Sequence, residues 1–507
     1  MRVPIVLPPG IFSDETSYAS PGRWIDGNNM RPKGETMETI GGWTKVYSSA
    51  LTGTCRNLHS WLDTGSLLNI AFGTHSKLSL LKNNTLYDIT PSDLTAGNVD
   101  RGSLGYGRGG YGTGGYGGGP LTEFFPRTWS FGNWGRYLIA NPRGRGIYVW
   151  QNNTGSLATK ITQAPRNVTC CLVTPQRQIL AFGCSEELSG SFNGMAIRGC
   201  DFEDYTDWTT APDNNAFEHI LEGGGRIVGA RIIGTNIAIW TDTSVFLGTF
   251  IGDTAQTYRF DLIADNCGLA GPNAVTVINQ VAYWLTPDLQ FYAWSLGAAP
   301  VPLNCPIRTD FKNNIDTYHF DKVVCTSISE FNEVWWHYPD DRDTVSPDLS
   351  ENSRYVAVNL DKGAWFRGQM ARTAAIDSGP ERYPVFVSPD SYAYYHEYGN
   401  DADGEALDWS IESGDFYLDE AQNRVFVRSV WPDFKDQVGN VSLTLKTKAY
   451  PQATANTKGP WVLAPGREKR DMTLETRIAG IKASSSAVGA YARIGKPSFD
   501  VVMAGEN

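Results

Sequence analysis

Six histidines, eight cysteines and 54 acidic residues are the side chains from which this 507-residue chain would have to build a reactive centre. His59, His75, His219, His319, His337 and His396 lie far apart, without the short spacings that present ligands to zinc. The cysteines include the adjacent Cys170 and Cys171, which cannot readily bridge each other, and no C-x-x-C. They read as small buried hydrophobes rather than a disulfide scaffold. Asn400-Asp-Ala-Asp-Gly404 imitates the start of a calcium loop but lacks the later ligands and the closing Glu. It reads as an acidic hairpin turn. Gly223-Gly224-Gly225 runs through Arg226 into a strand pattern at Ile227, so the helix N-terminus that a phosphate cradle needs is missing. Signatures of P-loop enzymes, zinc proteases and serine hydrolases are absent. Carboxylates are plentiful, but they sit in turns and no pair stands out. A carbohydrate-binding or glycosidase-type site therefore stays open as the alternative function. No catalytic, cofactor-binding or metal residue is predicted, and no cofactor.

One stretch suits contact rather than catalysis. Gly105–Pro120 is mostly glycine, which makes it costly to order, so the sequence predicts a flexible loop. Tyr106, Tyr111 and Tyr116 recur every five residues, with Arg108 between the first two. Aromatic rings at such intervals can pack on a partner or stack on bases. These four residues are the candidate gating or partner-contact site. Two further insertions are expected at Asp201–Asn215, with Trp208, and at the acidic Asp340–Asn352.

The elements that would carry these loops are short strands. Ile237–Trp240 and Val281–Trp284 are β-branched and aromatic runs that start 44 residues apart, and Val245 and Phe291 start 46 apart. Turn formers such as Asp242-Thr-Ser244 and Thr286-Pro-Asp288 separate them. A period of about 40–50 residues with several strands per unit marks a β-propeller blade. Paired runs recur at Leu67 and Lys77, Tyr137 and Ile147, Ile179 and Met195, and again at Ile237 and Val245. The series continues at Val281 and Phe291, Val334 and Tyr355, and Val385 and Tyr392, which predicts six or seven blades. Ser92–Ala96 reads as a short helical turn.

The sequence thus predicts an all-β chain: a β-propeller with a C-terminal antiparallel β-sandwich-like domain. Residues 1–46 read as an N-terminal arm and start of the propeller, or as the outer strand of a closing blade. Residues 47–408 form the propeller. Residues 409–507 form the second domain, because Val425–Val430, Val441–Lys446 and Met472–Ile478 are longer and more alternating. No run approaches 18 apolar residues, so no membrane span is expected. Met1–Gly10 is too short and proline-rich for a signal peptide, which points to synthesis in the cytoplasm. A net charge of −11 argues against holding nucleic acid through a basic footprint.

Several segments together resemble the tail nozzle, or packaged-DNA stabilisation, proteins of short-tailed bacteriophages. They are Trp129-Ser-Phe-Gly-Asn-Trp134, Leu138-Ile-Ala-Asn-Pro-Arg143, the Tyr/Gly repeat at Tyr106–Gly118, and Asp204-Tyr-Thr-Asp-Trp208. Cys267-Gly-Leu-Ala-Gly-Pro272, Val281-Ala-Tyr-Trp284, Val430-Trp-Pro-Asp433 and Arg493-Ile-Gly495 complete the set, from about residue 40 to the end. Their order carries the likeness. It implies a non-enzymatic virion protein of the phage tail, forming a homo-hexameric ring below the portal and adaptor. Such a ring continues the DNA channel, retains the genome with a needle or plug, and adjoins tail fibres. Double-stranded DNA would pass through its lumen without sequence-specific binding, past an acidic wall that repels phosphate.

Overall fold

The computed structural model describes residues 1–20, 22–101, 125–223, 225–253, 256–343, 350–419 and 422–504. Seven of its sheets are four-stranded antiparallel blades. The inner strands are Cys55–Leu62, Trp129–Trp134, Cys170–Val173, Ile227–Ile233, Val275–Ile278, Val324–Ile328 and Ala374–Ile376. Each lies against the next, and the seventh returns to the first, so the ring of blades is closed. The protein is a seven-bladed β-propeller with a second β-domain.

The paired runs read from the sequence are the second and third strands of every blade. Tyr137–Pro142 pairs with Tyr148–Trp150, Val281–Leu285 with Phe291–Ser295, and Val385–Val387 with Ala393–His396. These middle strands are apolar because both of their faces are covered by neighbouring blades. Aromatic rings fill the seams. Trp240 and Trp284 meet edge to face at 5.6 Å, and Phe291 lies 4.8 Å from Trp336 and 5.0 Å from Trp365. Burying each such apolar side chain contributes about 1.5–3 kcal/mol. Trp208, in the second insertion, is buried between blades 2 and 3, and its indole N–H donates to the Tyr205 carbonyl at 2.9 Å.

The ring closes on a strand from the beginning of the chain. Trp43–Lys45 pairs with Ala393–His396 as the outermost strand of blade 7. The turn read from Asn400–Gly404 secures it: Trp43 N–H donates to the Asp401 carbonyl, and Lys45 Nζ reaches Asp403 at 2.6 Å. Gly42 is needed there, since a Cβ at that position would lie 2.2 Å from the Asp401 carbonyl oxygen.

The rest of the N-terminal segment corrects the expected domain boundaries. Residues 1–46 do not form an arm of the propeller; apart from the closing strand they build the second domain. Arg2–Pro4 pairs with Ser498–Met503, Trp24–Asn28 with Trp409–Ser413, and Thr36–Thr39 with Tyr491–Ile494. Ile5, Leu7, Trp24, Met30 and Met37 share one core with Val427, Leu443, Ile481 and Phe499. The chain therefore starts and ends in one domain, with the propeller inserted between. Strands such as Val441–Lys448 alternate buried and half-buried residues, as in a sheet with one solvated face. The N-terminal segment also covers the outer strand of blade 6, Ala364–Gln369: Ile11 N–H donates to Trp365 O at 2.8 Å. Ser92–Ala96 forms no helical turn, and the α-helix of the described residues is Arg308–Asn314.

Candidate functional site at one end of the propeller axis

The seven inner strands surround a cavity of about 290 Å³ on the axis. At about 30 Å³ per water it has room for roughly ten molecules. Side chains latch one inner strand to the next. Asn57 donates to Trp129 O at 2.8 Å, Cys171 N–H to the Ser130 hydroxyl at 2.9 Å, and Asn273 across to Arg56 O at 2.8 Å.

Two insertions leave and return at the face where the inner strands begin. Tyr106, Arg108, Tyr111 and Tyr116 lie outside the described residues, but the flanks of their segment are placed. On one side, Arg101 pairs with Asp321, and its guanidinium lies 4.9 Å from the centre of the Phe320 ring. On the other, Phe125 lies among the guanidinium groups of Arg143 and Arg226, 4.3 and 4.1 Å from its ring centre. The acidic insertion ends on the same face. Glu351 takes two 2.6 Å hydrogen bonds from Arg56, whose Nη2 also donates to Val99 O at 2.8 Å.

Lys322 joins the two. Its ammonium lies 2.9 Å from Asp100 and 3.2 Å from Glu351, and its side chain is wholly buried. Asp100 in turn meets His319 Nε2 at 2.9 Å, while Nδ1 of the same ring meets Asp316. Burial opposes the charged imidazole, but the hydrogen bonds to Asp100 and Asp316 outweigh it and raise the His319 pKa. Burial likewise opposes the carboxylates, yet the cations around them hold Asp100 and Glu351 below their ordinary values. With His319 protonated, Arg56, Lys322 and His319 balance Glu351, Asp100 and Asp316 in a clamp between the flanks of two insertions.

The backbone approaches closely at this face. Cys267–Pro272 links blades 4 and 5, and a Cβ at Gly268 would lie 2.3 Å from the Asp242 backbone. In the second domain, Gly495 N–H donates to Asp433 O at 2.9 Å.

A different charge cluster sits where the domains join. Arg31 makes a fork with Glu397, with contacts of 2.9 and 2.6 Å, and lies 3.5 Å from Glu333. Burial pushes the Glu333 carboxyl up to about 7, against the pull of Arg31. One guanidinium here serves two carboxylates.

Arrangements suited to acid–base chemistry do not form from the sequence candidates. A cavity of about 280 Å³ between blade 6 and the second domain is lined by Asp26 and Asp310. Arg367 contacts both at 2.8 Å, and its charge holds the Asp26 pKa down although burial opposes this. A glycosidase pair needs one carboxyl kept protonated. Raised carboxyl pKa values fall on Glu333, which is wholly enclosed, and on Asp341, an exposed residue where partial burial and the charges of Asp316 and Asp340 act together. Among the described residues no three His, Cys, Asp or Glu side chains gather for a metal ion. His59 bonds Asn133, and His396 stacks on Phe386 at 4.2 Å. All eight cysteines are buried and unbridged. Sequence reasoning missed Asp100, Arg101, Phe125 and Glu351. Their signal was position, since they bound the insertions at the points where composition changes.

Fold and site define a class: a closed seven-bladed propeller, joined to a β-domain that holds both Arg2–Pro4 and Ser498–Met503, with the flanks of two insertions fixed at one end of its axis. No family model and no curated protein matches the chain. Among solved structures, the computationally designed Ika8 protein aligns over 78% of this chain and 100% of its own, at 11% identity and a TM-score of 0.38. A streptogramin B lyase aligns over 68% of this chain and 94% of its own, at 10% identity and a TM-score of 0.39. BamB from Moraxella catarrhalis aligns over 70% and 97%, at 10% identity and a TM-score of 0.35. Likeness at this level carries no function, and the propeller assignment rests on the strand pairing itself. No helix among the described residues is long and apolar enough to cross a membrane.

Proposed function

We propose that this chain is a structural, non-enzymatic virion protein, the nozzle subunit of a short-tailed phage tail. Copies form a ring, a hexamer by family likeness, that continues the portal and adaptor channel. The ring helps retain packaged DNA against a needle or plug, conducts it during ejection, and adjoins tail fibres. The ordered series of resembling segments supports this reading. The observation that carries it is the clamp. A chain that commits a buried Lys322, a bidentate Arg56 and a His319 set between Asp100 and Asp316 to fixing the ends of two insertions is built to present loops to partners. The small axial cavity adds a constraint: a duplex cannot thread one propeller, so the DNA path runs between subunits.

Negative-stain microscopy of the purified chain with its adaptor tests the assembly. Rings are expected, and a monomer that does not dock on the adaptor overturns the proposal. Deleting residues 105–119 should leave rings intact but produce particles that leak or fail to eject DNA. Normal retention and ejection would remove the insertion from the mechanism.

A further inference from the structure

Among the described residues, the axial cavity holds a cation that no carboxylate contacts, Arg231, and a carboxylate that no cation contacts, Asp377. Arg231, on the inner strand of blade 4, lines it. Its Nη1 donates to Ala230 O at 2.9 Å and its Nη2 to Pro272 O at 3.1 Å. Both acceptors are neutral carbonyls. A guanidinium has five N–H donors, so three remain after these bonds. The neighbours that act on its charge are the thiols of Cys170 and Cys325, and burial keeps both thiols protonated at neutral pH.

Other charged or titratable groups lining the cavity are already engaged. Arg56 is spent on Glu351. Asp377 accepts the Ser327 hydroxyl at 2.8 Å and the Ser329 N–H at 2.9 Å. His59 bonds Asn133. Arg231 is half-buried at the cavity wall, where a cation that meets only neutral dipoles is costlier than a paired one. Thr169 and Thr276 line the same space with hydroxyl groups. Planar N–H forks beside hydroxyls match the geometry of an oxyanion.

We propose that the propeller axis binds one small oxyanion, of the phosphate, sulfate or carboxylate type, against Arg231. The cavity volume of about 290 Å³ admits such an ion and excludes a nucleic-acid strand. Bound there, the ion meets the charge of Arg231 where the inner strands converge and stabilises the closed ring. The site is independent of the nozzle reading, because a chain that never assembled into rings would still have it.

Thermal unfolding in sodium phosphate against sodium chloride at matched ionic strength is the test. Wild type should gain stability saturably with phosphate. Arg231→Gln should weaken the apparent affinity at least about tenfold, through loss of the charge-assisted bonds. Arg231→Lys, which keeps the charge and loses the fork, should fall between. A short single-stranded oligonucleotide should give no shift. Equal phosphate gains in wild type and Arg231→Gln, or no saturable gain in wild type, would overturn the site. If the Gln variant does not fold, wild-type crystals soaked in selenate decide: an anomalous peak beside Arg231 supports the proposal, and its absence refutes it.

Discussion

The clamp at the propeller face and the junction at Arg31 are both buried ion networks, but they are balanced in opposite ways. At the face, Arg56, Lys322 and His319 meet Glu351, Asp100 and Asp316, and charge cancels. At the junction, Arg31 alone faces Glu333 and Glu397, so one carboxylate is in excess. The protein resolves the excess by protonation, since Glu333 is pushed up to about 7 by burial. The comparison separates two uses of buried charge. The face loses stability as His319 gives up its proton, whereas the junction loses it as Glu333 does, so the balanced network rests on a retained cation and the unbalanced one on a retained neutral acid.

Removing one member of the balanced set should produce the largest effect. Lys322→Met leaves Asp100 and Glu351 without their shared cation and should cost about 3–5 kcal/mol, read as a lower denaturant midpoint. A loss below 1 kcal/mol would mean that Arg56 and His319 suffice and the clamp is not one unit.

Glu333→Gln should give the next largest change, and only at higher pH. Raised from an ordinary 4.5 to about 7, Glu333 contributes stability that is full below pH 4.5 and lost as pH climbs through 7. The Gln variant has no such loss. It should exceed wild type by about 1–3 kcal/mol at pH 8, with the difference vanishing near pH 4.5. A pH-independent difference between the melting curves would show that Glu333 does not carry the junction's proton.

His319→Gln should show the smallest effect, full below pH 6.5 and shrinking as the pH rises. The folded pKa of His319 is raised, so its contribution is complete below the ordinary 6.5 and fades as pH rises through the folded value. Wild type should therefore lose part of its advantage over the Gln variant above pH 6.5. Parallel profiles across that window would remove His319 from the charge balance.

Legibility in the sequence followed burial. The second and third strands of all seven blades stand out because neighbouring blades cover both faces, which demands runs such as Ile237–Trp240 and Val281–Trp284. Apart from the run at Ile227, inner strands stayed hidden because they face the polar axis, as in Cys55-Arg-Asn-Leu-His59 and Val324-Cys-Thr-Ser-Ile328. Outer strands stayed hidden because they are short and exposed, as at Thr159–Lys160 and Val301–Pro302. The clamp residues carry no motif at all. Asp100 and Lys322 meet over 222 positions of chain, and Arg56 and Glu351 over 295.

The sequence by itself determined the repeating blade, its approximate period and the alternating strands of the second domain. Those features depend on which local residues must be dry, and dryness is written in the local pattern. Only the tertiary structure decided that the first 39 residues belong to the last domain, with Arg2 opposite Asp500. A closing outer strand was one of the two readings of residues 1–46, and the structure decided that it is Trp43–Lys45; the structure alone decided that the flanks of two distant insertions share one lysine. Pairings at such separations are selected by the burial and charge balance of the whole chain, which no local stretch encodes.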